Sequence, residues 1–127
     1  MHHSRLCAIV IDCQVDELAP AADFWSQALG KPIASVDQDG DGKYAELQTA
    51  ADEPIILLQK ADHPSRVHLD IETDDLDAEV ARLERLGARR IAFVRERWWV
   101  LEAPSGHRFC VVRPQCAAFG PHLNRWD

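Results

Sequence analysis

Val10-Ile11-Asp12-Cys13-Gln14-Val15-Asp16-Glu17-Leu18 lies without a gap on His68-Leu69-Asp70-Ile71-Glu72-Thr73-Asp74-Asp75-Leu76. In both stretches polar side chains alternate with apolar ones, Asp12 and Gln14 with Ile11 and Cys13, Asp70 and Glu72 with Leu69 and Ile71, which is the two-residue period of a half-buried strand. The identities, Asp12/Asp70, Asp16/Asp74 and Leu18/Leu76, are too few to decide anything alone. The helices after them are decisive. Helical spacing over residues 19–29 and 75–86 closes both times with Leu-Gly, at Leu29-Gly30 and Leu86-Gly87, where glycine supplies the left-handed backbone that ends a helix.

Working outward, strands are expected over residues 6–13, 33–36, 44–48 and 55–59, and again over 66–72, 89–94, 98–102 and 108–113. Both halves therefore read β-α-β-β-β, and the order of elements supports an internal duplication. The modules run over about 6–60 and 66–114, with a tail at 115–127, in one domain of 127 residues. Neither module buries its sheet alone.

With 14 Lys+Arg against 21 Asp+Glu and a net charge of −7, the surface repels phosphate backbones and anionic lipid, so neither nucleic acid nor membrane is an expected partner. No apolar run approaches the roughly 20 residues of a membrane span, and residues 1–5 lead into a strand rather than a signal-peptide core. A cytoplasmic location is expected, with Cys7, Cys13, Cys110 and Cys116 as thiols. Their spacings match no common zinc motif.

Three further motifs carry a family resemblance. Asp23-Phe24-Trp25-Ser26-Gln27-Ala28-Leu29-Gly30 places an aromatic pair before Leu-Gly, Val67-His68-Leu69-Asp70 opens the second module, and Ala103-Pro104-Ser105-Gly106-His107-Arg108-Phe109-Cys110 turns into the last strand. In this order and separation the chain resembles the vicinal-oxygen-chelate superfamily of glyoxalases, bleomycin-resistance proteins and extradiol dioxygenases, in its small glyoxalase-like branch. The resemblance implies an α+β fold of two βαβββ modules in tandem, forming curved half-barrel sheets around a central cleft with helices outside. It also implies a small-molecule ligand in that cleft and a homodimer.

The resemblance implies, too, a divalent ion held from the first and last strands of each module. Carried over by position, the places are Val10, Gln59 (or Leu57, depending on register), His68 and Cys110. Val10 has no donor atom, and Cys110 stands where the family has Glu. The expectation is therefore a cleft without the family's metal and without a cofactor. The alternative is zinc, nickel, iron or manganese on the weak set Gln59, His68 and Cys110.

Strand alternation puts His68, Asp70 and Glu72 on one face of their strand, and Asp12 and Gln14 on the corresponding face of the first. With Gln59, Trp98, Arg108 and Cys110 these are the ligand-binding candidates, and Asp12, Asp70 and His68 are the catalytic ones. The plain account of His68 is a strand histidine paired with a neighbouring acid. Asp12 and Asp70 interrupt apolar strands, where an unpaired carboxylate is costly. Either Arg5, Arg108 and His68 neutralise them or they face a wet cavity.

Asp37-Gln38-Asp39-Gly40-Asp41-Gly42 imitates a calcium loop, but its twelfth position is Gln48 and its flanks are strands, so a hairpin turn is expected. Of Trp98 and Trp99, one ring faces inward and the other outward, and Trp25 belongs to the helix-to-sheet core. The tail carries Phe119 and Trp126 without a strand or helix period and is expected to dock on its own domain or a neighbour. There is no phosphate loop and no nucleophile elbow. The leading expectation is thus a glyoxalase-like protein that binds a small polar molecule. Its rivals are a metal-dependent lyase, isomerase or dioxygenase with an unusual ligand set, and a non-catalytic dimerisation module whose cleft is filled by aromatic side chains.

Overall fold

The computed structural model describes residues 1–36, 42–115 and 123–127. Its elements run β1 (His2–Cys13), α1 (Ala19–Leu29), β2 (Ile33–Val36), β3 (Tyr44–Leu47), β4 (Ile55–Lys60), β5 (Arg66–Thr73), α2 (Leu76–Arg85), β6 (Arg89–Val94), β7 (Trp98–Glu102), β8 (Arg108–Val112) and β9 (Asn124–Trp126). The order is βαβββ twice, with β9 added, as the duplicated stretch predicts. By contacts the chain divides into Ala8–Val67 and a second unit made of Met1–Cys7 with His68–Asp127.

In the unit Ala8–Val67 the strands are ordered β2-β3-β4-β1, and β1 runs parallel to β4 with Val10 opposite Leu57 and Asp12 opposite Gln59. Helix α1 lies on the face carrying Cys13, Ala45, Leu47 and Leu58, adding Leu18 and Ala22, with Trp25 packed against them as expected. Leu47 and Leu58 are fully buried, each worth about 1.5–3 kcal/mol relative to exposure. The helix begins with no side-chain cap. It ends at Gly30, whose φ of 66° lets the Lys31 N–H donate to the Ser26 carbonyl at 3.0 Å.

In the second unit the order is β5-β8-β7-β6, with Asp70 opposite Cys110 on parallel strands. Helix α2 covers Leu101 and Val111 with Val80 and Leu83, and Ile71, Trp99 and Phe109 flank them. This helix is better specified than α1. Asp75 caps it by accepting from the Ala78 N–H at 3.0 Å, acids occupy its first turn and Arg82 and Arg85 its last. At Gly87, φ is +109° and an added Cβ would meet the Pro104 Cγ at 3.0 Å.

Two segments differ from expectation. Strand β1 starts at His2 rather than residue 6, and the tail forms β9, pairing His2 with Trp126 and Ser4 with Asn124. Polar side chains hid both strands, because β1's start is held by an ion-pair network and β9 by a hydrogen bond and a cation–π contact. His2 Nε2 donates to the fully buried Glu79 at 2.8 Å, Arg82 donates to both Glu79 oxygens at 2.8 Å, and the Trp126 indole N–H donates to Ser4 Oγ at 2.8 Å. The Arg82 guanidinium lies 3.8 Å from the Trp126 ring centroid. Asp37, Asp39 and Asp41 of the calcium-like stretch, Cys116, and Phe119 with its neighbours lie outside the described residues.

Candidate functional site

Strand pairing across the second unit decides which side chains share a face. Asp70 is opposite Cys110, Cys110 opposite Val100, and Val100 opposite Ala92, so these four form one row. Two positions earlier on β5 and β8 stand His68 and Arg108, with Glu102 opposite Arg108. Trp98, two positions before Val100, completes this face, while Trp99 lies on the opposite face in the core, stacked on Phe93 at 4.8 Å. The face is polar where the other is largely apolar, because β5 alternates His68, Asp70 and Glu72 with Leu69 and Ile71.

His68, Asp70 and Cys110 meet at its centre. One ligand atom from each lies within 4.8 Å of the other two. His68 Nε2 is 3.4 Å from Asp70 Oδ1, yet that oxygen is buried without a hydrogen-bond partner among the described residues. The pair attracts only if the imidazole is protonated, and its geometry does not satisfy the oxygen. A buried carboxylate oxygen left this way costs stability, and a cation relieves that cost.

Fitting the set to a divalent ion is a matter of donor chemistry. Imidazole nitrogen, carboxylate oxygen and thiolate sulfur are all zinc ligands, and three protein ligands leave an open position, as catalytic zinc sites do. Bonds of about 2.0–2.3 Å bring donors on one ion to within roughly 4 Å of each other, close to the 4.8 Å within which this set already lies. The residues fit the group. His68 and Cys110 stand at positions the family resemblance implies for a metal, and Asp70 is a donor that the resemblance does not supply.

Other candidates are committed elsewhere. Glu72 is fully buried: Arg5 Nε donates to it at 2.6 Å and the Gln115 N–H at 2.7 Å, so its role is structural rather than ligand-binding. Arg5 and Arg108, two of the groups that could neutralise the aspartates, donate to glutamates, Arg108 Nε to Glu102 at 3.3 Å. Arg89 donates to the other Glu102 oxygen at 2.7 Å. The Arg89 hydrogen bond, outweighing the effect of burial and assisted by Arg108, holds the Glu102 carboxyl below the usual carboxylate range.

In the unit Ala8–Val67, Asp12 is buried on β1 beside Gln59, and His63 Nε2, which the sequence did not single out, is 4.0 Å from its carboxylate. Gln14 lies past the strand end and ties a loop, its N–H donating to Ser65 Oγ at 3.0 Å and its side-chain amide to the Asp62 carbonyl at 3.1 Å. The Cys13 thiol is pushed up by burial and then by the Asp12 charge, which keeps it protonated and inert. The register also resolves an ambiguity: Gln59 faces Asp12 as Cys110 faces Asp70, so Gln59, not Leu57, is the counterpart of Cys110.

The Glyoxalase-like domain family model matches residues 8–112. The chain belongs to this family. Solved structures share the glyoxalase-like fold at low identity. Methylmalonyl-CoA epimerase from Mycobacterium tuberculosis is 19% identical, with 87% of this chain and 88% of that one covered and a TM-score of 0.60. A glyoxalase/bleomycin resistance protein/dioxygenase superfamily member from Vibrio splendidus is 13% identical, over 87% of this chain and 99% of that one, at 0.57. A variant of homoprotocatechuate 2,3-dioxygenase from B. fuscum is 17% identical over 88% of this chain but 33% of that longer one, at 0.58. These likenesses show the fold. No curated protein matches the glyoxalase-like chain. Among its described residues no helix is long and apolar enough to cross a membrane.

Proposed function

We propose that this glyoxalase-like chain binds a small oxygen-bearing molecule through a divalent cation held by His68, Asp70 and Cys110. The observation that carries the reading is the buried Asp70 Oδ1, which lacks a hydrogen-bond partner among the described residues, on a carboxylate that has an imidazole and a thiol donor within 4.8 Å. When bound, such an ion acts as a Lewis acid on a ligand oxygen and lowers the pKa of a bound water or hydroxyl.

The chain's own residues supply the rest. Asp70 brings a negative charge whose desolvation is already incurred in the folded protein, and His68 serves as a neutral donor from the same strand. Rigid strands β5 and β8 hold the donors, which keeps the set close to its working geometry. Val100 and Ala92 continue the row as an apolar floor beside the donors. That the epimerase and the dioxygenase share this fold supports a small-molecule ligand and leaves the reaction open, since one fold hosts unrelated chemistries.

Cobalt(II) titration followed by ultraviolet-visible spectroscopy tests the reading. A thiolate-to-cobalt charge-transfer band is expected in the wild-type protein and absent in both Cys110→Ser and Asp70→Asn. A wild-type spectrum without that band, or one unchanged in Cys110→Ser, contradicts it.

A further inference from the structure

Arg108 is a group on this face with hydrogen-bonding capacity to spare. Its Nε is committed to Glu102 at 3.3 Å, and its terminal nitrogens, Nη1 and Nη2, have no partner among the described residues. The side chain is nonetheless held. It is more than half buried, and Glu102, itself gripped by Arg89 at 2.7 Å, fixes the guanidinium from one side. A guanidinium anchored through Nε presents its two terminal groups as a fork whose spacing matches the two oxygens of a carboxylate.

Its position connects the fork to the donor set. Arg108 precedes Cys110 by two residues on β8, so its side chain leaves the same face about 6.6 Å along the strand. Local charge points the same way. A dication is offset by the Asp70 carboxylate and the Cys110 thiolate, whereas Glu102 offsets only one of Arg89 and Arg108, leaving one positive charge in excess at the Arg108 end. An anionic group suits that end.

We infer that the ligand is a small dicarboxylic acid, with one oxygen-bearing end at the His68, Asp70 and Cys110 set and the far carboxylate on the Arg108 fork. This rests on the cation-binding reading for the first end only. The second end stands on Arg108 and Glu102. Glu102 acts as a positioning residue, since it touches Arg108 and not the ligand. The opposite register position on the first module's strand β4, Leu57, offers no such group.

Isothermal titration with malonate, succinate and glutarate, and with propionate as the single-carboxylate control, tests the inference on zinc-loaded and zinc-free protein. At least one dicarboxylate is expected to bind zinc-loaded protein about tenfold or more tightly than propionate. Arg108→Gln is expected to abolish that preference while zinc affinity stays unchanged, and Arg108→Lys to restore part of it. Because the side chain is partly exposed, these variants are expected to fold, which their melting curves check. An undiminished preference in Arg108→Gln overturns the inference, as does the absence of binding by all three diacids to zinc-loaded protein. The two readings fail separately. Zinc binding with Arg108-independent diacid binding sinks only the dicarboxylate inference. If the protein takes no zinc yet binds a diacid in an Arg108-dependent way, the cation reading fails and the Arg108 fork stands. Absence of both overturns both.

Discussion

The two modules share a strand plan but differ in what they put on its polar face. On β1 and β4 the positions are Val10 and Asp12 opposite Leu57 and Gln59, while on β5 and β8 they are His68 and Asp70 with Arg108 and Cys110. The shared aspartate is common to both. Its neighbours differ: Asp12 has beside it a hydrocarbon, a carboxamide and the distant His63 imidazole, and Asp70 has an imidazole and a thiol within ligand distance. One strand plan therefore carries two different sets of side chains, and the second brings an imidazole, a carboxylate and a thiol together. The helices diverge as well. Three residues past the matched leucines, α1 has Ala21 and α2 has the fully buried Glu79.

The largest expected effect breaks the comparison at the aspartates. Asp70→Asn or His68→Ala is expected to take zinc stoichiometry from one to none by equilibrium dialysis, whereas Asp12→Asn leaves affinity within about threefold, a difference below about 1 kcal/mol. Equal loss in Asp12→Asn and Asp70→Asn would erase the asymmetry proposed between the modules.

Next is Glu79. Its removal strands Arg82 and His2 in a buried site, so Glu79→Ala is expected to cost about 3–5 kcal/mol in urea unfolding, against less than about 1 kcal/mol for Ala21→Ser on α1. A cost below about 1 kcal/mol for Glu79→Ala would show the network to be unimportant. The same residue gives a pH signature. Burial alone would raise the Glu79 pKa, but hydrogen bonds from Arg82, His2 and Ser4, with the Arg82 charge, outweigh it and hold it below the ordinary range. A depressed native pKa means that the stabilisation is complete above the unfolded value of ~4.3 and is lost as pH falls through the lower native value. Wild-type protein should therefore lose stability relative to Glu79→Gln in that acid window and not between about pH 6 and 8. Parallel acid transitions in the two proteins would contradict it.

Smaller effects lie at the helix ends. Gly87→Ala combines backbone strain with the Pro104 contact and should cost about 2–3 kcal/mol, while Gly30→Ala, with nothing within 4 Å of the added Cβ, should cost about 1–2 kcal/mol. Asp75→Ala should cost about 1 kcal/mol through the lost cap. Thermal melts of the three variants rank them, and a Gly30→Ala cost exceeding that of Gly87→Ala would invert the order of the two helix stops.

The β-α-β-β-β order was legible because it is written in local periodicity and in two Leu-Gly stops, and helix bounds came within a residue of Ala19–Leu29 and Leu76–Arg85. Residues 2–5 and β9 were not legible, since their cohesion is long-range: His2 reaches Glu79, Ser4 reaches Trp126, and no local pattern encodes such pairs. At the candidate site, alternation correctly grouped His68, Asp70 and Glu72 on one face. It could not tell that Glu72 is sealed by Arg5 and Gln115 while Asp70 keeps an unsatisfied oxygen. The Asp70 opposite Cys110 pairing depends on register between strands 40 residues apart, which sequence spacing does not supply. His63 and Glu102 carried no motif at all, although a carboxylate on the strand next to Arg108 is a signal once the β7 and β8 register is known.

The central claim, that His68, Asp70 and Cys110 form a cation site, meets its most direct test in the metal content of protein purified without a polyhistidine tag. Plasma emission spectrometry is expected to find about one equivalent of a divalent transition metal per chain, lost in Asp70→Asn. A wild-type protein that carries none and takes up none on dialysis against zinc, nickel, iron or manganese contradicts the claim.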